Sequence, residues 1–185
     1  MRKLTTPEMH RLTVRQFQEA RKLPLVVVLD DVRSLYNVGS VFRTCDAFRV
    51  EAVCLCGITG TPPHAELHKT ALGAEDSVAW KYYPSALDAV AELRQEGFTV
   101  YAVEQAEGSM KLQEMPMPTT PVAIVFGNEV KGVHQEVVDA CHSCLEIPQF
   151  GTKHSLNVSV TAGMVIWELA RKAIQAGSLP FGKAE

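Results

Sequence analysis

The chain has 185 residues, 46% of them hydrophobic and 21% charged, which is ordinary for a single globular domain. No apolar run reaches the roughly 18 residues of a membrane span and no signal peptide precedes the polar first residues, so we expect a cytoplasmic protein without a membrane segment. The net charge of −3 argues mildly against a nucleic-acid partner, because domains that bind nucleic acids are often strongly basic.

The chain begins with a predicted helix that lies in its most basic region. Thr6, Pro7 and Glu8 form a helix-start signal, and apolar residues follow at near-helical spacing with arginines between them. Residues 1–49 contain nine Lys or Arg and five Asp or Glu, whereas residues 50–185 contain nine and sixteen. We therefore predict a basic helical extension over residues 1–24, which either presents its arginines to phosphates or only covers apolar surface.

From residue 25 onward, short apolar strands alternate with helices. The predicted strands are residues 25–29, 52–56, 80–83, 98–103, 121–126 and 143–147. The predicted helices are residues 37–48, 65–72, 85–96, 133–140 and 157–176, and residues 110–120 form a loop. This alternation is typical of an α/β protein with a mainly parallel sheet flanked by helices. It indicates one domain, residues 25–177, followed by a short tail, residues 178–185.

Two of the predicted helices have features beyond their periodicity. In helix 37–48, Asn37 is a possible N-cap, Gly39 permits close packing, and four apolar residues face inward: Val38, Val41, Phe42 and Cys45. Helix 157–176 is apolar on nearly all sides. A helix of that kind is buried on more than one face, which predicts an oligomer interface in addition to a core contact.

The cysteines and histidines do not form a convincing metal site. An odd number of cysteines without a secretory signal fits reduced thiols, and Cys141 and Cys144 lack the second CxxC pair of a zinc site. Cys54 and Cys56 lie in an apolar strand, where cysteine is usually a small buried hydrophobe. His64 and its neighbour one helical turn later, His68, lack a third ligand. We expect no metal.

Small and polar residues follow the ends of three predicted strands, where open α/β sheets bind ligands. The segments read Asn37-Val-Gly39-Ser-Val-Phe-Arg43-Thr-Cys-Asp-Ala-Phe48, then Phe126-Gly127-Asn128-Glu129-x-x-Gly132, then Ile147-Pro148 followed by Ser155-Leu156-Asn157-Val158-Ser159. The sequence lacks the GxGxxG, GxxxxGK[ST] and GxSxG motifs of Rossmann, P-loop and hydrolase sites. The three segments suit a neutral-to-polar ligand, such as an adenosine, held by main-chain hydrogen bonds. Taken locally, Ser155 or Asn157 is explained more simply as a helix cap.

In this order, the three segments resemble those of the SpoU (TrmH-like) family of SPOUT RNA methyltransferases, over roughly residues 25–174. The resemblance implies an α/β-knot fold with a C-terminal trefoil knot and a methyltransferase domain over residues 25–177. It also implies S-adenosylmethionine as cofactor, a ribose 2′-OH of tRNA or rRNA as methyl acceptor, and a homodimer that forms through the C-terminal helix. Two departures from the family pattern, Arg49 and Thr161, lie outside the residues to which the resemblance assigns chemistry.

The resemblance also assigns roles to individual residues. Contact with the cofactor, largely through the backbone, is expected at Glu104, Phe126, Gly127, Glu129, Ile147, Pro148, Ser155, Leu156 and Asn157. Catalytic or site-organising roles are expected for Asn37, Arg43, Glu129 and Asn157. Contact with RNA is expected at Arg33, Arg43 and Lys69, and the basic extension adds Arg11 and Arg15. A guanidinium is effectively always protonated, so we expect Arg43 to clamp a phosphate and stabilise the developing oxyanion rather than to act as a base. A phosphate oxygen or water would then accept the proton.

Two other functions remain open at this point. One is an RNA-binding module with the same fold and no catalysis, against which the intact polar residues of the three segments count. The other is an unrelated nucleotide-binding enzyme whose glycine-rich loop and Lys131 hold a phosphate. Glu129 lies inside that loop and would repel a phosphate.

Overall fold

The computed structural model describes residues 1–177, which form an alternating series of strands and helices. The strands are β1 (Leu23–Asp30), β2 (Val50–Cys56), β3 (Ala79–Tyr83), β4 (Thr99–Val103), β5 (Met110–Lys111), β6 (Val122–Phe126) and β7 (Ser143–Glu146). The α-helices are α1 (Val14–Glu19), α2 (Leu35–Ala47), α3 (Ala65–Ala71), α4 (Ala74–Ser77), α5 (Ala86–Gln95), α6 (Gln135–Ala140) and α7 (Val158–Gln175). Short 3₁₀ turns span Pro7–Met9 and Leu112–Glu114.

The strands form one sheet in the order β3-β2-β1-β6-β4-β7-β5, and all of its strand pairs are parallel. The predicted parallel α/β fold is therefore confirmed. Because parallel strands end at the same edge, the segments that follow β1, β6, β4 and β7 meet there. The three polar segments of the sequence follow β1, β6 and β7, so the sheet order alone brings them together.

Each face of the sheet is covered by its own hydrophobic cluster. Successive residues of a strand point to opposite faces, so Val27 packs with α2 and α7 on one face, and Val28 packs with α5 and α6 on the other. The predicted inward side of α2 is confirmed, because all four of its apolar residues are buried. Gly39 also packs closely: a Cβ there would lie 2.3 Å from the carbonyl oxygen of Leu67 on α3.

Three local predictions were wrong. The first helix does not begin at Pro7: a 3₁₀ turn ends at His10, and α1 begins only after Thr13, which forms a capping box with Gln16. Helix α2 begins two residues earlier than predicted because Ser34 caps it. Asn37 is therefore free for another partner. The predicted loop 110–120 contains the short edge strand β5 and a 3₁₀ turn.

The N-terminal segment packs against the rest of the fold. Phe17 is buried in the core, and Gln18 donates from Nε2 to the carbonyl of Asp76 at the end of α4. The Lys22 ammonium donates to backbone carbonyls at the C-terminal end of α1, including those of Gln18 and Ala20. The predicted tail, residues 178–185, lies outside the described residues.

The cysteines of the described chain are unpaired. Cys54 and Cys56 lie on β2 and Cys144 on β7, four positions away in the sheet, or roughly 19 Å at the usual strand spacing. The two cysteine pairs thus do not meet. Burial raises the pKa of the Cys141 thiol to about 12, which disfavours the reactive thiolate. No helix within residues 1–177 is both long and apolar enough to cross a membrane.

Candidate active site

A cleft of about 550 Å³ opens at the carboxyl ends of β4, β6 and β7. This volume lies within the range of small-molecule sites in proteins. Residues 127–132, after β6, form one wall, which we call the fixed wall. Residues 148–156, between β7 and α7, form a segment that we call the strap, and four of them line the opposite wall: Gln149, His154, Ser155 and Leu156. Residues 103–105 at the end of β4 lie between the two walls.

The fixed wall is a closed loop with internal hydrogen bonds. Asn128 and Gly132 exchange two backbone hydrogen bonds of 3.0 and 2.9 Å. The Asn128 side chain accepts from the backbone N–H groups of Val130 and Lys131 at 2.9 and 3.1 Å, and its Nδ2 donates to the carbonyl of Asp31 at 2.7 Å. Its side chain thus fixes both the shape of the loop and its position against the end of β1.

Two positions in this wall require glycine. A Cβ on Gly127 would lie 2.0 Å from backbone atoms of Gly132 and Val133. Gly132 has a φ of +70°, in the left-handed region, and a Cβ there would lie 2.2 Å from Oε1 of Glu104. That same oxygen accepts from the backbone N–H of Val133 at 2.8 Å. The end of β4 is therefore locked to the fixed wall.

Glu129 joins the fixed wall to the start of α2. Its carboxylate accepts hydrogen bonds from the backbone N–H groups of Arg33 and Ser34, each at 3.0 Å, and from Nδ2 of Asn37 at 2.9 Å. Partial burial acts to raise the pKa of Glu129, but these three hydrogen bonds outweigh it and lower the pKa below its ordinary range. With three donors held by its ionised form, Glu129 is an organising residue and not a free base.

Asn37 and Asn157 extend this connection to α7. Nδ2 of Asn157 donates to Oδ1 of Asn37 at 3.2 Å, while Oδ1 of Asn157 caps α7 by accepting from the backbone N–H groups of Ser159 and Val160. The helix-cap explanation of Asn157 is thus correct, and the same side chain also reaches another polar segment. Glu129, Asn37 and Asn157 form one chain of hydrogen bonds that joins all three segments.

Most of the residues expected at the cofactor line this cleft. They are Glu104, Phe126, Gly127, Glu129, Ile147, Ser155, Leu156 and Asn157. Pro148 does not line it. Instead, Pro148 faces a neighbouring hollow of about 300 Å³, together with Phe150 and with Met164 of α7.

Sequence reasoning missed several residues of the cleft. The polar ones are Gln105, Asn128, Glu146, Gln149, His154 and Thr161. Lys131, which the sequence suggested only as a phosphate ligand, also lines the cleft. The sequence contained a signal for two of the missed residues, because Asn128 lies within the segment from Phe126 to Gly132 and Gln105 directly follows Glu104. Thr161 was noted only as a departure from the family pattern; its hydroxyl donates to the carbonyl of Asn157 at 3.0 Å.

Arg43 lines a different cleft. This second cleft, of about 470 Å³, lies between α2 and α3, and its lining residues are Ser40, Arg43, Thr44, Ala47, Phe48, Lys69 and Thr70. Arg43 and Lys69 are exposed, and neither forms an ion pair within residues 1–177. Arg43 therefore forms no salt bridge to the acidic residues Asp46 and Asp30. Two unneutralised cations facing one cleft favour an anionic ligand.

The other expected RNA contacts are dispersed. Arg33 is exposed, and its backbone N–H is the group that binds Glu129. Arg15 forms an exposed ion pair of 2.9 Å with Glu19 on the same helix, which partly neutralises it. Arg11 is exposed near Met9. None of these three arginines lines the cleft that contains Arg43 and Lys69.

A cluster of Asp30, Asp31 and His134 supports the fixed wall from below. Asp30 is buried, and its Oδ2 accepts from the backbone N–H of His134 and contacts the ring Nδ1, both at 3.0 Å. The other ring nitrogen lies 3.7 Å from a carboxylate oxygen of Asp31. Within residues 1–177 this is the only group of three whose donor atoms are close enough for a cation. Because the imidazole already bridges both carboxylates, the cluster is explained as a clamp between β1 and the start of α6.

Comparisons with known proteins agree with this arrangement. The model of the SpoU rRNA Methylase family matches residues 24–167. The chain is 32% identical to the tRNA (guanosine(18)-2′-O)-methyltransferase of Thermus thermophilus over 170 residues, which are 92% of this chain and 86% of that protein. The TrmH/SpoU tRNA modifying enzyme of Aquifex aeolicus has a TM-score of 0.79 and 26% identity, and the match covers 92% of this chain and 88% of that one.

The rRNA methyltransferase of Sinorhizobium meliloti, solved with S-adenosylmethionine bound, has a TM-score of 0.75 and 27% identity. That match covers 82% of this chain but 60% of the other, so this chain is similar to part of that protein. The resemblance seen in the three polar segments is confirmed, and the parallel sheet explains why those segments meet at one edge of the sheet. The chain belongs to the SpoU rRNA methylase family.

Proposed function

We propose that this protein transfers the methyl group of S-adenosylmethionine to a ribose 2′-OH of tRNA or rRNA. The observation that carries the proposal is the chain of hydrogen bonds through Glu129, Asn37 and Asn157. It joins the fixed wall and the start of α7 to α2, the helix on which Arg43 lies. The strand-end cleft on one side of this network suits a nucleoside-type cofactor. The second cleft, which contains Arg43, suits an anionic substrate.

The strand-end cleft fits the cofactor chemically. Phe126, Leu145 and Ile147 supply apolar surface for an adenine, and Gly127 lets the loop after β6 close against the backbone of Gly132 and Val133. The cofactor supplies an electrophilic methyl group on a sulfonium. The carboxylates of Glu104 and Glu129 favour a cationic ligand in the cleft, which argues against the alternative of a phosphate-binding loop.

The second cleft is the proposed site for the RNA backbone. Arg43 lies six residues after Asn37 on α2, or about 9 Å along the helix axis, and helical side chains incline toward the N-terminal end of their helix. Its guanidinium can therefore clamp a phosphate next to the target ribose and stabilise the charge that develops on the 2′-oxygen. Glu129 holds three donors and is unavailable as the base, so a phosphate oxygen or water accepts the proton. Lys69 supplies a second positive charge to the same cleft.

We further propose a homodimer formed through α7. Val160, Met164, Trp167 and Ile174 lie on one side of this helix and are between 38% and 49% exposed. Trp167 also packs against Phe48 of the second cleft, with ring centroids 5.7 Å apart. A partner on this side of α7 would therefore border the Arg43 cleft. A wild-type protein that sediments as a monomer contradicts the dimer, and Trp167→Glu is expected to dissociate it.

The remaining features follow from the family resemblance and are proposals of the same kind. We propose a C-terminal trefoil knot; the position of β4 between β6 and β7, and the contact between the segments after β4 and β7, support it. We propose residues 25–177 as the methyltransferase domain and residues 1–24 as an extension that adds Arg11 and Arg15 to the RNA surface. A cytoplasmic location fits RNA substrates and unpaired cysteines.

The direct test uses S-adenosylmethionine labelled on its methyl group, with transfer RNA and ribosomal RNA as separate acceptors. We expect label in one pool, and we expect the linkage after the modified nucleotide to resist alkaline hydrolysis, since a methylated 2′-oxygen cannot attack the phosphate. Label that remains on an alkali-sensitive nucleotide would contradict ribose methylation. Binding of S-adenosylmethionine without transfer to either pool would favour the RNA-binding module.

A further inference from the structure

The strap is fastened by a single side chain. Every residue from Phe150 to Leu156 is exposed, and Phe150 is 96% exposed. Within the described part of the chain, one hydrogen bond reaches residues 148–156: Nε2 of Gln105 donates to the backbone carbonyl of His154 at 2.6 Å. Both residues line the cofactor cleft. The bond therefore crosses that cleft from the end of β4 to the strap.

Gln105 and its neighbour Glu104 act on opposite walls. Successive side chains at a strand end point in opposite directions, so adjacent residues can reach both sides of a cleft that opens there. Glu104 accepts from the backbone N–H of Val133 beside the fixed wall, whereas Gln105 donates to the strap. The fixed wall has further hydrogen bonds through Asn128 and Glu129, but the strap has only this one.

We propose that Gln105 is a positioning residue that holds the strap closed over the cofactor and thereby sets how fast the cofactor dissociates. This inference rests on the proposed function, because it assumes that S-adenosylmethionine occupies the cleft. The strap can open locally at low cost, since its residues are exposed and its backbone N–H groups have no acceptor within residues 1–177. Opening would move Gln149, His154, Ser155 and Leu156 away from the cleft while the fixed wall stays in place.

We call the hydrogen bond from Gln105 to the His154 carbonyl the latch. Its chemistry allows a hydrogen-bonding role of Gln105 to be distinguished from a packing role. A carbonyl oxygen requires a donor, and the glutamine amide supplies one at this position. Gln105→Glu keeps the shape of the side chain but replaces the donor by a carboxylate, which repels the carbonyl. Gln105→Ala removes both shape and donor. A latch predicts the same loss in both variants, whereas a packing role predicts that the glutamate variant behaves like wild type.

The first test measures association and dissociation rates of S-adenosylmethionine and S-adenosylhomocysteine on the full-length protein by surface plasmon resonance. In Gln105→Ala and Gln105→Glu we expect about fivefold faster dissociation, equivalent to about 1 kcal/mol, which is the usual net worth of one hydrogen bond. Association should be no slower than in wild type, because the strap opens more readily, and the melting temperature should fall by no more than about 2–4 °C, the shift that about 1 kcal/mol produces in a chain of this size. Gln95→Ala is the matched control, because Gln95 is an exposed glutamine at the end of α5, away from the cleft.

The second test needs no cofactor. Lys153 lies in the strap next to His154, whose carbonyl accepts the hydrogen bond from Gln105. It is exposed, so trypsin can cut after it once the strap opens. Mass spectrometry of the Lys153–His154 bond should show faster cleavage in both Gln105 variants than in wild type and in Gln95→Ala. Cleavage at wild-type rate in both Gln105 variants would overturn the latch.

The two tests distinguish the failure of this inference from the failure of the proposed function. A wild-type protein that binds S-adenosylmethionine, with unchanged dissociation in Gln105→Ala, overturns the latch and leaves the methyltransferase intact. A wild-type protein that does not bind S-adenosylmethionine overturns the cofactor assignment, and with it the role of Gln105 in cofactor release. Wild-type dissociation in Gln105→Glu together with fast dissociation in Gln105→Ala assigns packing, and also overturns the latch.

Discussion

The two walls of the cofactor cleft differ in how they are built. The fixed wall requires glycine at two positions, and Asn128 and Glu129 form hydrogen bonds with the segment between β1 and α2. At its end, the backbone N–H of Val133 donates to Glu104 after β4. The strap is exposed and is held by Gln105 alone within the described residues. One cleft can thus combine a wall that positions a ligand with a wall that admits and releases it.

The largest effect is expected from a substitution that disrupts the fixed wall. Gly127→Ala places a Cβ 2.0 Å from backbone atoms that cannot move without opening the loop. We expect a loss of about 1–3 kcal/mol in the free energy of unfolding, as for other overpacked sites, and a loss of S-adenosylmethionine binding. Urea unfolding and calorimetric titration measure the two effects.

The strap offers a matched glycine as control. A Cβ on Gly151 meets nothing within 4 Å. Gly151→Ala should leave both stability and cofactor affinity close to wild type. Equal losses in the two alanine variants would remove the distinction between the walls.

A smaller effect is expected from Glu129→Gln. The amide has one acceptor oxygen where the carboxylate has two, so at least one of the backbone N–H groups of Arg33 and Ser34 loses its partner. Because the site is largely open to water, we expect about 1 kcal/mol of destabilisation together with weaker coupling of α2 to the cleft. Unfolding of the variant and of wild type in urea at pH 7 gives the difference, and an unchanged midpoint would contradict the role of Glu129 as the organising residue.

The smallest expected effect is a difference in pH dependence between substitutions in the two walls. The folded-state pKa of Glu129 is lowered by its hydrogen bonds, even though burial opposes the shift. Its contribution to stability is therefore complete above the unfolded pKa of about 4.3 and is lost as pH falls through the folded-state value. The stability difference between wild type and Glu129→Gln should shrink as pH falls through this range. The difference between wild type and Gln105→Ala should stay constant, because an amide and a carbonyl do not titrate; a parallel decline would contradict the comparison.

The sequence was sufficient where the signal is local. Apolar runs located the central strands, and Ser85 marked the start of α5. The signal was ambiguous where two caps compete. The sequence analysis used the start signal at Pro7 and the possible cap at Asn37, whereas in the structure Thr13 with Gln16 caps α1 and Ser34 caps α2. Strand β5 has two residues and is too short to produce a pattern.

The site could be predicted as far as its residues lie inside the three segments. The hydrogen bonds that shape it join residues far apart in the chain: Glu129 to Arg33, and Gln105 to His154. No local pattern encodes such a bond, because it depends on the strand order β1-β6-β4-β7. The same limit applies to Arg43, whose separation from the cofactor cleft depends on how α2 packs against α3.

The most direct test of the central claim is the rate of methyl transfer by Arg43→Lys, measured with saturating S-adenosylmethionine alongside calorimetric affinity for that cofactor. Arg43 lies outside the cofactor cleft, so we predict unchanged affinity and a fall in transfer of about 100-fold, because lysine keeps the charge but loses the planar fork. Arg94→Lys, on the opposite face of the sheet, should transfer at wild-type rate. Near-normal transfer by Arg43→Lys would contradict the account.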